Sequence, residues 1–230
     1  MSKEKTSFTD SSVYPVFFML IITVVFVGVL SVFYRSTEQK VAVYKQQTYQ
    51  MQILSLFTDT LSVTTGIDKA KLLDMQNLSK NYKLYVSEKQ LPKVTGIAVN
   101  PKYYVVSSSS NKVLGYCFDV TGSGLWGTMH GLMAVTPDFS KIINFVIYDQ
   151  METPGLGARV EEPWFKAQFA GKPLISGNAI TSFTLVPEEA QPTSTQIKQI
   201  TGASITSSSV LKIIQASALE LSNDFGLKAK

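Results

Sequence analysis

Residues 131–149 read GLMAVTPDFSKIINFVIYD, two runs of large and β-branched apolar residues on either side of Pro137-Asp138. Such side chains fit a pleated surface, whereas proline fixes φ and aspartate bonds to nearby amides, so the stretch predicts a β-hairpin turning at Pro137-Asp138. Upstream, VTGIAV at 94–99, YYVVS at 103–107 and LGYCFDV at 114–120 predict further short strands, with Gly, Pro, Asn and Ser between them. Downstream, PWFKAQFAGK predicts a short helix from Pro163 that stops at Gly171, and AITSFTLV at 179–186 another strand. Ser208 to Phe225 predicts a last helix with Val210, Ile213, Ile214, Leu221 and Phe225 on one face and Gly226 just past its end. Residues 67–91 are mixed and charge-dotted, as in a helix with loops. The fold class is α+β, an antiparallel β-sheet with flanking helices and no internal repeat.

The N-terminal region is of a different kind. Residues 13–34, VYPVFFMLIITVVFVGVLSVFY, carry no formal charge. At about 1.5 Å per residue they cross a ~30 Å hydrocarbon core. Aromatic residues at both ends and the lack of a small-residue cleavage site predict a transmembrane helix rather than a signal peptide. Lys3 and Lys5 precede it and Arg35, Lys40 and Lys45 follow it, so the charge balance selects no orientation. Val41, Tyr44, Thr48, Met51 and Leu54 recur every three or four residues, which continues the helix beyond the bilayer. The expected organisation is a tail at 1–12, a transmembrane helix at 13–34, a helical connector and the start of the outer domain at 35–90, and the main domain at 91–230.

Composition narrows the chemistry. With 45% hydrophobic and 17% charged residues, 14 Gly and 9 Pro among 230, the chain can bury a core and is not low-complexity. The single cysteine, Cys117, closes no disulfide within the chain, supplies no iron–sulfur or zinc set, and reads as a small buried hydrophobe. The single histidine, His130, lies in a strand-like run without a Ser-His-Asp or Cys-His pairing and reads as structural, leaving no metal site and no catalytic nucleophile. The net charge of +4 is spread in ones and twos rather than as a basic stripe, which argues against nucleic-acid binding.

Three motifs remain. In Thr201-Gly202-Ala203-Ser204-Ile205-Thr206-Ser207, small side chains lead into the final helix. Gly202 allows positive φ, and the free amides and positive end of a helix start favour a phosphate, although the same residues also make an ordinary N-cap. Glu152-Thr153-Pro154-Gly155-Leu156-Gly157 follows the strand INFVIYD and makes a stiff loop able to present amides and one apolar side chain to a flat ligand, or a plain turn. Gly122-Ser123-Gly124-Leu125-Trp126-Gly127 joins two strands; packing into the core is the expected role of Trp126.

In this order and spacing, GSGLWG, ETPGLG and the small-residue motif before a C-terminal helix resemble the FMN-binding domain of NqrC, the C subunit of the Na⁺-translocating NADH:quinone oxidoreductase. RnfG, the corresponding member of the Rnf electron-transport complex, an ion-translocating ferredoxin:NAD⁺ oxidoreductase, is a close second. The resemblance implies FMN bound covalently through its phosphate to the hydroxyl at the motif's last position, here Ser204 in place of the usual threonine. Lys198 stands where the pattern read by the flavin transferase usually has aspartate. On this reading Thr201, Gly202, Ala203 and Thr206 surround the phosphate. Glu152, Thr153, Leu156 and Gly157 line one side of the isoalloxazine, with Leu125 and Trp126 on the other. The resemblance further implies a domain outside the bacterial cytoplasmic membrane, N-terminus inside, relaying electrons between other membrane subunits of the complex. The transmembrane helix, without an ion ligand, is not expected to form the sodium path. A flavin-free assembly subunit is the rival reading. A membrane-anchored sensor is disfavoured by the twelve residues that precede the helix.

Overall fold

The computed structural model describes residues 13–91, 96, 98–176 and 179–226, which divide into two units at Thr48/Tyr49. The first is the helix α1, Tyr14–Leu56, as far as Thr48. It is one helix long and apolar enough to cross a membrane, with a mean hydropathy of 2.9 over its most apolar window and its valines, leucines and phenylalanines exposed. This is compatible with a single-pass membrane anchor.

The second unit begins at Tyr49. After the end of α1 come three short helices, α2 (Thr58–Thr65), α3 (Lys69–Leu73) and α4 (Leu78–Tyr85). Five strands follow, β1 (Val86–Gln90), β2 (Val99–Ser107), β3 (Val113–Ser123), β4 (Thr128–Val135) and β5 (Ile142–Asp149), antiparallel and in sequential order. A 3-10 turn (Gly157–Glu161) and α5 (Pro163–Ala167) lead to two small pairings, β6 (Ile175–Ser176) with β7 (Ala179–Ile180), and β8 (Thr184–Val186) parallel to β9 (Gln196–Lys198). The chain ends in α6, Ser204–Asp224.

Both faces of the sheet are covered. Phe118, Val120, Met133, Val135, Phe145 and Ile147 pack against α6 through Val210, Ile213, Ile214 and Leu221. On the opposite face Cys117, Leu132 and Ala134 pack with Ile53, Leu54 and Phe57 and with Leu61, Leu72 and Leu78. This is why 131–135 reads as a continuous apolar run: a strand buried on both sides needs no polar alternation. Asp119, on the face with Cys117, accepts hydrogen bonds from the hydroxyls of Tyr49 at 3.1 Å and Tyr148 at 3.0 Å, tying the last turns of α1 to the sheet. His130 lies in β4 with its ring 6.3 Å from that of Tyr148.

The hairpin at 131–149 pairs as read, but several boundaries differ. Of VTGIAV, residues 94, 95 and 97 lie outside the described residues, and Val99 opens β2. Within 67–91, VSEKQ is a strand rather than a helix or loop, because its backbone adds to the edge of β2 while four of its five side chains stay in water. Polar side chains on an edge strand discourage pairing with another chain. AITSFTLV is broken into β7 and β8, which pair with different partners while Phe183 between them turns into the core. The helix from Pro163 ends at Ala167, and turns carry the chain to Gly171 at φ 74°. The last helix starts at Ser204, not Ser208: burial of Thr206, Ser207 and Ser209 overrides their weak helix propensity.

Candidate functional site

The start of α6 is set by its sequence. Gly202, at φ 80°, reverses the chain, and the Ala203 amide bonds back to the Ile200 carbonyl at 2.9 Å to close the turn. Ala203 is the N-cap and offers no side-chain acceptor. Among the described residues the amides of Ser204, Ile205 and Thr206, which a first helical turn cannot satisfy internally, have no protein acceptor. Ser207 instead seals the core side: its hydroxyl accepts from the Ile200 amide at 3.0 Å and donates to the Ala203 carbonyl.

Facing this turn is a cleft of about 320 Å³, lined by Leu125, Trp126, Glu152, Thr153, Leu156, Gly157, Gly202, Ala203, Ser204, Ile205 and Thr206. The three sequence motifs therefore meet in one place. Of the sequence-predicted residues only Thr201 lies outside the lining; it is exposed, and its amide donates to Glu188 Oε2 at 2.9 Å. Ile205, 60% exposed at the mouth, was missed. Its signal was a lone large apolar side chain among hydroxyl residues at a helix start. Trp126 does not fill the core as expected but is 69% exposed, because the glycine-bounded turn after β3 lifts it clear of the sheet.

Glu152 assembles the cleft. It is 5% exposed, and its Oε1 accepts from the amides of Leu125 at 2.8 Å and Trp126 at 3.0 Å, while Oε2 accepts from the Thr206 hydroxyl at 2.5 Å. One carboxylate thus fixes the Leu125-Trp126 turn and the first turn of α6 relative to each other. Gly157 is required by the same contact. A Cβ there would stand 2.7 Å from both Glu152 Oε2 and Thr206 Oγ1. The 153–157 loop closes on itself, with the amides of Leu156 and Ala158 donating to the Thr153 carbonyl, and leaves Leu156 partly exposed in the cleft wall. The result is a slot with exposed leucine, isoleucine and tryptophan side chains above a floor of free amides and hydroxyls. It suits a ligand with a flat apolar part and an anionic end. No group of His, Cys, Asp and Glu placed to hold a metal occurs among the described residues.

Residues 124–218 match the model of the FMN-binding domain. The C subunit of the Na⁺-translocating NADH-quinone reductase of Pasteurella multocida is 33% identical over 120 residues, 51% of this chain and 46% of that protein. The Vibrio anguillarum C subunit is 33% identical over 152 residues, 66% and 51% of the two chains. The chain spans about half the length of the curated relatives it matches. Among solved structures, the Parabacteroides distasonis C subunit superposes with a TM-score of 0.54 at 20% identity, covering 79% of this chain and 94% of that one, which establishes a shared fold. The match to C subunits does not favour the Rnf-type alternative. Residues 124–218 are thus similar to an FMN-binding domain, and about half of the chain is similar to the C subunits of Na⁺-translocating NADH-quinone reductases.

Proposed function

We propose that this chain holds FMN in the cleft and acts as the membrane-anchored flavin subunit of a Na⁺-translocating NADH-quinone reductase. The observation that carries this reading is the open first turn of α6, with exposed Ser204, set against the apolar walls of Leu125, Trp126 and Leu156. The residues fit the group. Free amides and the positive end of a long helix favour a phosphate, and the glycine at 157 lets Glu152 and Thr206 meet behind that helix start. FMN, when bound, supplies one-electron chemistry at its ring.

The remaining roles belong to the protein. The amides of Ser204, Ile205 and Thr206 would hold the phosphate, and Ser204 Oγ is the hydroxyl that would carry it as a phosphoester, formed by a flavin transferase from a flavin dinucleotide whose other nucleotide leaves as the P–O bond to serine forms and the hydroxyl proton is lost. Glu152 orients the first turn of α6 and the Leu125-Trp126 turn, and the apolar walls exclude water from the ring. Helix α1 confines the domain to the membrane beside the other subunits of the complex, which raises their effective concentration without tight docking. The domain lies on the outer side of the bacterial cytoplasmic membrane with the N-terminus inside.

The test is in-gel flavin fluorescence of the full chain after denaturing electrophoresis, with the chain produced together with a flavin transferase that labels a control acceptor. A fluorescent band at the size of the chain is expected, lost in Ser204→Ala. A dark wild-type band rejects covalent attachment, and a fluorescent Ser204→Ala band rejects Ser204 as the acceptor.

A further inference from the structure

A second carboxylate, supplied by none of the three motifs, braces the cleft from outside it. Glu188 follows β8 and does not line the cleft. Its Oε2 accepts the Thr201 amide at 2.9 Å, so it holds the turn whose next two residues, Gly202 and Ala203, form the cleft wall. Its Oε1 accepts Arg159 Nη2 at 2.9 Å. Arg159 sits in the 3-10 turn directly after the 153–157 loop, and its Nε reaches Glu162 Oε2 at 3.2 Å while its guanidinium lies 5.4 Å from the Trp164 ring centroid.

The brace therefore joins the two sides of the cleft: the Thr153–Gly157 loop through Arg159, and the Thr201–Gly202 turn through Glu188. The two sides also touch directly. A Cβ on Gly202 would come 3.1 Å from Leu156 Cδ2, so the turn has little room to move toward the loop. The Arg159 guanidinium and the Thr201 amide hold the Glu188 carboxyl down at about 2, so it is ionised at neutral pH. A charged acceptor on a backbone amide makes a stronger and more geometrically demanding bond than a neutral one.

Resting on the proposed FMN reading, we propose that Glu188, held by Arg159, is a positioning residue that sets the Thr201–Gly202 turn for the phosphate of the flavin. The Glu188 carboxylate bonds directly to the turn preceding the phosphate-binding amides, whereas the loop that carries Leu156 beside the ring is also closed by its own hydrogen bonds to the Thr153 carbonyl. Its loss weakens recognition of the phosphate and leaves recognition of the ring nearly intact.

The experiment compares FMN with riboflavin, which has the same ring and side chain but no phosphate. Full-length chain is produced without flavin transferase, so that binding is noncovalent, and each dissociation constant is measured by flavin fluorescence in detergent. The wild type is expected to prefer FMN. Glu188→Gln, which keeps an oxygen acceptor but loses the ion pair, is expected to weaken FMN about tenfold while riboflavin changes less than about twofold. Arg159→Lys, which keeps the charge but loses the planar fork, is expected to fall between them. Equal weakening of both flavins in Glu188→Gln and Arg159→Lys shows a merely structural brace and overturns the inference. So does an FMN preference unchanged or increased in Glu188→Gln. A wild type that binds neither flavin instead overturns the FMN reading itself.

Discussion

Glu152 satisfies three donors with two oxygens while almost wholly removed from water. Such a carboxylate is expensive to bury alone, and here its donors are two backbone amides of a tight turn and a hydroxyl at a helix start. Removing it strands all three. Glu152→Ala is expected to lower stability by about 2–3 kcal/mol, the range for losing charge-assisted hydrogen bonds at a buried site. It is also expected to abolish flavin retention, because both the Leu125-Trp126 turn and the first turn of α6 lose their tether. Urea unfolding of the full chain in detergent and flavin absorbance of the same samples check the two parts. An unchanged unfolding midpoint would show that water replaces the carboxylate without cost.

Between β4 and β5 the chain reverses through a turn that aspartate organises. Asp138 Oδ1 accepts from the Thr136 hydroxyl at 2.6 Å, the Ser140 hydroxyl at 2.8 Å and the Ser140 amide at 3.1 Å. The Thr136 and Ser140 hydroxyls hold its carboxyl below the ordinary range. With the folded value depressed, this stabilisation is present above the ordinary carboxylate pKa and is lost as the pH falls through the folded value. Asp138→Ala is expected to cost about 1 kcal/mol at neutral pH, a modest figure because the site is exposed, and to flatten the loss of stability on acidification. Thermal unfolding of the variant and the wild type across the acidic range reads both effects. The turn was legible because Pro137 and Asp138 act locally. Its neighbour was not: Phe139 takes φ 58°, unfavourable for an aromatic residue, because that conformation drops its ring among Tyr116, Phe118 and Phe225. The start of α6 was misplaced for a related reason, since Ser and Thr are poor helix formers locally but are held helical here by burial.

At the scale of the molecule, the unit beginning at Tyr49 has its own two-sided core, with the last turns of α1 forming part of one side. A chain of residues 49–230 is therefore expected to stay folded and soluble without detergent and to retain the cleft, whereas the full chain partitions with membranes. Cutting at the end of the uncharged apolar stretch or at Thr48 should be harmless. Cutting after Phe57 should not, because it removes Ile53, Leu54 and Phe57 from the core. Size-exclusion chromatography and thermal unfolding of chains beginning at 49 and at 58 separate the two cases; equal stability would show that the end of α1 is dispensable.

By itself the sequence determined the features that depend on neighbours along the chain. These are the uncharged helix at the N-terminus, the hairpin around Pro137-Asp138, the strand character of 103–107 and 114–120, and the reversal at Gly202. Each follows from a period, a charge count or a backbone preference acting over a few residues. The three glycine- and hydroxyl-bearing motifs were also legible, but their meeting was not, because nothing in local spacing states that residues 125, 156 and 204 line one cleft. Tertiary structure decided that VSEKQ forms an edge strand, since a polar strand is made by its partner's hydrogen bonds. It also turned Trp126 out of the core, and it recruited Glu188 and Arg159, from unremarked stretches of sequence, to brace the turn before Ser204. Long-range hydrogen bonds and burial choose among conformations that the local chain permits almost equally, and these choices appear only once the sheet and α6 are packed.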